Sequence, residues 1–404
     1  MLSKYFEAAL LKEIAEKVGT PTYVYSAAAF LKQINAYKRA FKGLEPLFCY
    51  AMKANSSGGL CALAAKAGWG ADVVSGGELY RALKAGFPAG KIIFSGVGKT
   101  PAELEYALKS GILFVNAESM EEVAELERAA ARLKVRAPFS LRINPDVDPH
   151  THKYISTGRL GSKFGVSFEE ALKIYLYGAE SKHLKPVGAQ FHIGSQVNSA
   201  GPYALAAGRL AAFMVKLASR GVNLKYADVG GGWGVKEGGE MPDPSALAKA
   251  VGSVFGGTGL GLILEPGRSV AAPAGLLLTS VLYRKRGGHK NFIVADAAMN
   301  DLVRPALYGA KHPVELLGPG GMSKTFDIVG PVCESGDFLA EGVRLKEPAA
   351  GQLLAIYSAG AYGFSMSSQY NSRPRAAEAL ITGPSTWRLI RRRETYKDLT
   401  ACEL

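Results

Sequence analysis

Short apolar runs punctuate the first two thirds of the chain: "LFCYAMK", "WGADVVS", "KIIFSG", "ILFVNAE", "FSLRINP", "VGAQFHIGS", "KYADVGGG" and "LILEPGR". The first four begin at 47, 69, 91 and 112, an even spacing, and later gaps are longer and leave room for inserted loops. Between them lie segments with helical spacing of apolar residues, such as "GGLCALAAKAG", "GELYRALKAG", "TPAELEYALKSG" and "SMEEVAELERAAARL". Strands alternating with helices make a parallel sheet, and eight in series predict a (β/α)8 barrel over residues 26–270. An open doubly wound sheet is the rival, and it does not explain why the alternation stops near eight. Past about residue 271 the texture changes. "NFIVADA", "TFDIVGP", "LLAIYSA", "EALIT" and "TWRLIRRRE" read as strands between Gly/Pro turns, with little helical pattern. Residues 271–404, joined by 1–25 with the strand "PTYVYS", are therefore expected to form a mostly antiparallel β domain.

Each apolar run of the barrel ends in polar or glycine residues. They are Lys53; Asp72 and Ser75; Ser95; Asn116 and Glu118; Arg142 and Asn144; His192 and Ser195; Asp228 with three glycines; Glu265 and Arg268. In a barrel all strand C-termini meet at one face, where active sites are built. Residues more than 200 apart in sequence then share one mouth.

Composition narrows the class. The 404 residues include 48 glycines, which favour tight turns and backbone-lined ligand sites. Cys49, Cys61, Cys333 and Cys402 show no paired spacing that would suggest zinc, and so few cysteines in a long chain fit a reducing compartment. "MLSKYFEAALLKEIAEKVG" reads as an amphipathic helix without a signal-peptide core, and "SVAAPAGLLLTSVLY" is too short and interrupted to span a bilayer. A cytoplasmic protein away from membranes is expected. The net charge of +13 raises nucleic-acid binding. Only "RLIRRRETYK" is dense, however, and its alternation reads as a strand with one solvated face. A basic enzyme surface that attracts an anionic ligand is the simpler reading.

Lys53 closes the first apolar run, in "YAMKAN". A strand-end lysine that reaches for water is the bland account. A lysine with a desolvated stem on the catalytic face is also a Schiff-base nucleophile, whose carbonyl partner pyridoxal phosphate would supply. That cofactor needs a phosphate cradle and a partner for its pyridine nitrogen. "DVGGGWG" offers the cradle: Gly230, Gly231 and Gly232 let backbone N–H groups approach an anion. It is not a dinucleotide motif, because residue 235 is Val. It follows the seventh strand and "EPGR" the eighth, the usual place of a barrel phosphate site. Glu265, directly after "LIL", is the candidate nitrogen partner, against the alternative of a surface glutamate before a turn. His192 in "FHIGS" could stack on the ring or be a core histidine, and Ser195 could donate to the phosphate. His150 and His152 could chelate a metal, but no carboxylate or cysteine cluster completes a site, and no metal is expected. In "GPVCESGD" Cys333 and Glu334 sit in a Gly/Pro-rich loop, which fits a positioned acid or binding group better than core packing.

Together these motifs resemble the fold-type III pyridoxal-phosphate decarboxylases, and among them the branch that acts on diaminopimelate. The resemblance runs from about "PTYVY" to the C-terminus through "YAMKAN", "DVVSGGEL", "HIGSQ", "DVGGGWG", "EPGR", "CESGD" and "GAYGFSMSSQYNSRPR", with departures at Met52 and Trp233. It implies a barrel plus β domain working as a homodimer with shared active sites. It implies decarboxylation of meso-diaminopimelate to L-lysine, the last step of lysine biosynthesis. By the same resemblance, Lys53 carries the cofactor, Asp72 supports it, His192 stacks on the ring, and Glu265 meets its nitrogen. Ser195, Gly230, Gly231, Gly232, Gly267 and Tyr362 hold the phosphate. Arg268, Arg304 and Tyr308 take the distal carboxylate, Glu334 the distal ammonium, and Cys333 acts near the reacting carbon. A decarboxylase of ornithine, arginine or carboxynorspermidine on the same fold is the alternative. A second carboxylate-binding arginine argues against ornithine, and an alanine-racemase-like activity does not suit Glu265. A non-catalytic homologue would be expected to lack Lys53 or Cys333.

Overall fold

The computed structural model describes residues 2–148, 163–236 and 241–404. They divide into two compact units, Gln33–Gly234 with Pro242–Gly267, and Met1–Lys32 with Val235–Met241 and Arg268–Leu404. Strand β1 (Thr22–Ser26) belongs to the latter.

The first unit is a closed barrel of β2 (Leu47–Ala51), β3 (Gly70–Val73), β4 (Ile92–Phe94), β5 (Phe114–Ala117), β6 (Ala137–Arg142), β7 (Leu184–Gln190), β8 (Tyr226–Asp228) and β9 (Gly261–Leu264). Neighbours pair in parallel all the way round, with Leu47 beside Ile263 closing the ring. All eight apolar runs of the sequence are these strands. They read as continuous apolar segments because a parallel barrel buries both strand faces; Ala71, Ile93, Val115 and Ala189 are fully buried. Cys49, Ile93, Phe114, Val187 and Ile263 form one of its core clusters. Five of its helices start where short polar residues satisfy their first N–H groups. Ser57, Ser75, Thr100, Ser119 and Ser167 each accept from the residue three positions on. Ser75 is thus the cap of helix Gly76–Lys84.

The second unit holds a sheet in the order β14-β13-β11-β10-β1-β16-β17, with β15 also on β10, and β12 on β15. Its strands are β10 (Gly275–Gly287), β11 (Lys290–Ala295), β12 (Val314–Leu316), β13 (Ser323–Val329), β14 (Phe338–Lys346), β15 (Leu353–Tyr357), β16 (Ala377–Gly383) and β17 (Thr386–Arg391). Only β1–β16 and β11–β13 pair in parallel, so the sheet is mostly antiparallel. "PTYVYS" lies between β10 and β16. The N-terminal amphipathic helix, Ala8–Val18, turns Leu10, Leu11 and Ile14 onto a cluster with Val24, Leu276, Leu278 and Ala379. The arginine run near the end is internally engaged. Arg391 pairs with Glu378, Arg392 bonds Asp398 at 2.6 Å, and Arg393 donates to Thr22 Oγ1 at 3.1 Å. Among the described residues no helix is long and apolar enough to cross a membrane. No disulfide joins the four cysteines.

Candidate active site

The chain turns immediately after β2 into a one-turn 3-10 helix, Met52–Ala54, which places Lys53 at the barrel mouth. Its Nζ lies 3.1 Å from Asp72 Oδ2. Asp72 is fully buried in β3, whereas the Lys53 side chain keeps 36% of its surface exposed. Across the closing seam, the Ala51 N–H donates to Pro266 O at 3.2 Å. A Cβ on Gly267 would fall 2.9 Å from Ala51 Cβ and 3.1 Å from Ala54 Cβ, so glycine lets the "EPGR" turn pack on the Lys53 turn.

Glu265, buried after β9, accepts from Gln190 Nε2 at 2.7 Å. Burial first, then Asp228 and Asp72, push its carboxyl well above the usual range; Lys53 opposes them. Burial likewise raises Asp228 to about 7. Among the described residues, Asp228 Oδ2, Gln190 Oε1 and Asp72 Oδ1 are buried polar atoms without a hydrogen-bond partner. Three acids thus converge where Lys53 is the cation acting on Glu265, an arrangement suited to a further positively charged group.

His192 follows β7. Its Nδ1 accepts from the Gly231 N–H at 3.2 Å, which fixes the tautomer. Burial, Arg142 and Lys53 hold its pKa well below the usual histidine value, so the ring stays neutral. The glycine loop is shaped by close packing. A Cβ on Gly231 would be 2.2 Å from Glu265 O, and one on Gly232 2.0 Å from Gly194 O. Gly230 and Gly232 have φ of +67° and +99°. The Gly230 N–H donates to Asp228 Oδ1 at 2.9 Å, so Gly230 and Gly231 both have protein acceptors, whereas the Gly232 N–H makes no protein hydrogen bond among the described residues. Ser195 lies three residues past His192 in the same loop. Other strand-end groups engage one another: Asn116 donates to Ser95 Oγ at 3.2 Å, and Arg142 lies 3.4 Å from Glu118.

The second unit gathers its own candidates. Arg268 lies over the Tyr362 ring, 4.4 Å from the centroid. Tyr362 has φ of +54°; a bulky residue there is strained and is held by its surroundings. Arg304 and Tyr308 begin and end one helical turn and share a face. Burial, then Arg268, lower Arg304 to about 10, and burial lowers Arg268. The exposed Cys333 has its N–H bonded to Asn371 Oδ1 at 2.8 Å. Glu334 Oε2 lies 3.5 Å from the Tyr370 hydroxyl. Asp337 pins the loop, accepting from Val332 N and Met299 N, both at 2.7 Å. Gln190, His312 and Asn371 are contacts that the sequence patterns did not disclose. Only Gln190 carried a signal, its two-residue offset from His192. Met52 and Trp233 are buried, and Trp233 Nε1 donates to Pro242 O at 3.0 Å. Among the described residues no three His, Cys, Asp or Glu gather as a metal site, and His150 and His152 lie outside those residues.

Residues 27–272 match the family model described as pyridoxal-dependent decarboxylase, pyridoxal binding domain. The chain is 48% identical over 401 residues to the diaminopimelate decarboxylase of Pseudomonas aeruginosa, covering 99% of this chain and 96% of that one. It is 49% identical over 393 residues to that of Neisseria meningitidis serogroup B, covering 97% and 94%. A crystal structure of diaminopimelate decarboxylase from Helicobacter pylori complexed with L-lysine matches at TM-score 0.93 and 44% identity, covering 97% of this chain and 98% of that one. The chain belongs to the diaminopimelate decarboxylase family, within the pyridoxal phosphate-dependent decarboxylases.

Proposed function

We propose that the protein decarboxylates meso-diaminopimelate to L-lysine, as a cytoplasmic homodimer with shared active sites. The observation that carries this reading is Glu265. Its buried carboxyl is held toward the neutral form by burial, Asp228 and Asp72; a cationic neighbour such as a protonated pyridine nitrogen would stabilise its ionised form. The donor set fits pyridoxal phosphate: an amine at Lys53, a flat neutral imidazole at His192 and a backbone N–H at Gly232. When bound, the cofactor supplies an electron sink for the bond broken at Cα.

The chain's residues do the rest. Lys53 would hold the cofactor covalently, and Asp72 orients the lysine amine. Glu265 would accept the ring N–H and hold that proton. His192, its tautomer fixed by Gly231, would cover the ring. Ser195, Gly232, Gly267 and Tyr362 would hold the phosphate, and Gly230 and Gly231 shape that loop. Arg268, Arg304 and Tyr308 bind the distal carboxylate, where a guanidinium offers two parallel donors. Glu334 binds the distal ammonium. Cys333 Sγ delivers the proton that replaces CO2 on Cα. The test is CO2 release with meso-diaminopimelate, ornithine and arginine side by side. Release from meso-diaminopimelate in strong preference is expected; release from ornithine or arginine instead overturns the assignment.

A further inference from the structure

His312 lies just before β12 and is buried. Its ring touches two groups of fixed polarity. Nε2 is 3.1 Å from Arg304 Nη1, and Nδ1 is 2.9 Å from the Tyr357 carbonyl oxygen. A guanidinium only donates and a carbonyl only accepts. Both contacts therefore demand the same tautomer, with the proton on Nδ1 and the lone pair on Nε2. The anchor is itself fixed: the Tyr357 N–H donates to Pro313 O at 2.8 Å, its hydroxyl donates to Glu315 at 2.7 Å, and Val314 pairs with Ile356 beside it. Burial and Arg304 lower the His312 pKa to about 4, so the lone pair stays available.

Core packing alone would explain a buried histidine. It does not explain the partner. Arg304 makes no ion pair among the described residues, and it shares its surroundings with the like-charged Arg268. A carboxylate at position 312 would hold the guanidinium and also neutralise it. A neutral acceptor holds it and leaves its charge for an anion. We propose that His312 is a positioning residue that aims Arg304 at the distal carboxylate of the substrate, an inference that rests on the role given to Arg304 above.

The test compares holoenzymes carrying His312→Asn, His312→Gln and Arg304→Gln. Glutamine reaches the Nε2 position with an acceptor oxygen, whereas asparagine reaches only the Nδ1 side, toward Tyr357. The readouts are kcat and KM for meso-diaminopimelate, and the inhibition constant of L-lysine, which retains the carboxylate that is not lost. Cofactor absorbance and melting temperature are followed alongside. His312→Asn is expected to raise KM and the lysine constant about tenfold or more with kcat within about threefold, and His312→Gln to stay within about threefold of wild type throughout. If the two variants behave alike, or if both lose cofactor and kcat with KM unchanged, the inference is overturned. A strong Arg304→Gln effect with a silent His312→Asn sinks the positioning role alone. A silent Arg304→Gln sinks the role of Arg304 itself.

Discussion

Lys99 is more deeply buried than Lys53, with 1% of its side chain exposed, yet it is the poorer nucleophile candidate. Its Nζ donates at 2.6 Å to each of Glu122 Oε1, Gly96 O and Asn116 O, and all three donors are used. Lys53 stands beside one buried carboxylate at a strand end, with a third of its side chain open. What marks Lys99 as structural is the use of all three of its donors, not its burial; an amine at a strand end and reachable from the barrel mouth is the chemical candidate. Lys53→Ala is therefore expected to abolish the borohydride-reducible bond to the cofactor, read by peptide mapping. Label on Lys99 or Lys163 would refute the assignment. A second residue carries a pH signature of its own. Asp301 is buried and accepts the Ala298 N–H at 3.0 Å, and its Oδ1 has no hydrogen-bond partner among the described residues. Burial raises its pKa to about 7, from an ordinary value of about 3.9. The folded state thus binds this proton more tightly than the unfolded chain. The stability it contributes is complete below the unfolded value and is lost as pH rises through 7, worth up to about 4 kcal/mol. Between pH 5 and 8 the wild type should lose melting temperature relative to Asp301→Asn. A gap between the two that is independent of pH would exclude this titration.

Elements differ in how much of themselves the sequence displays. The barrel strands were legible because burial on both faces leaves unbroken apolar runs, and their ends were legible because polar residues break them. β14 was not, since "FLAEGVRLK" buries only Leu339 and Leu345 and shows no clean alternation. β10 was not, because its apolar half continues "SVAAPAG" and its other half is the charged "YRKRG". In the site, Lys53, Glu265 and the glycine loop were legible from their places after apolar runs. Gln190 was legible only in its two-residue offset from His192; its pairing with Glu265, 75 residues away, is one that no local pattern encodes. The same holds for Asn371, which reaches Cys333 across 38 residues. The glycine loop offers an element-scale test. Gly232→Ala meets both a positive φ and a Cβ 2.0 Å from Gly194 O, so the loop must shift. Cofactor affinity should fall about tenfold or more, by spectrophotometric titration. Gly77→Ala, whose Cβ would meet only Ser75 Oγ at 3.7 Å, is the control expected to be silent. Equal cofactor affinity in the two variants would remove the loop from the phosphate site.

At the scale of the whole molecule the question is which chain completes which site. Cys333 and Glu334 are exposed, yet their loop is rigidly tied by Asn371 and Asp337. An exposed acid and thiol on a fixed loop suit presentation to something outside the chain. In the proposed dimer that is the neighbour's site, and a two-fold axis makes the exchange reciprocal. Lys53→Ala and Cys333→Ala are each expected to be nearly inactive while folded and dimeric. When they are mixed so that subunits reshuffle, a mixed dimer has one site with Lys53 from one chain and Cys333 from the other, and that site is whole. Its second site carries both defects. Random pairing makes about half the dimers mixed, so about a quarter of wild-type activity should return. Were both residues supplied by one chain, every site would keep a defect and mixing would restore nothing. Exchange is shown independently with mass-tagged subunits, and demonstrated exchange without recovery of CO2 release would refute the shared site.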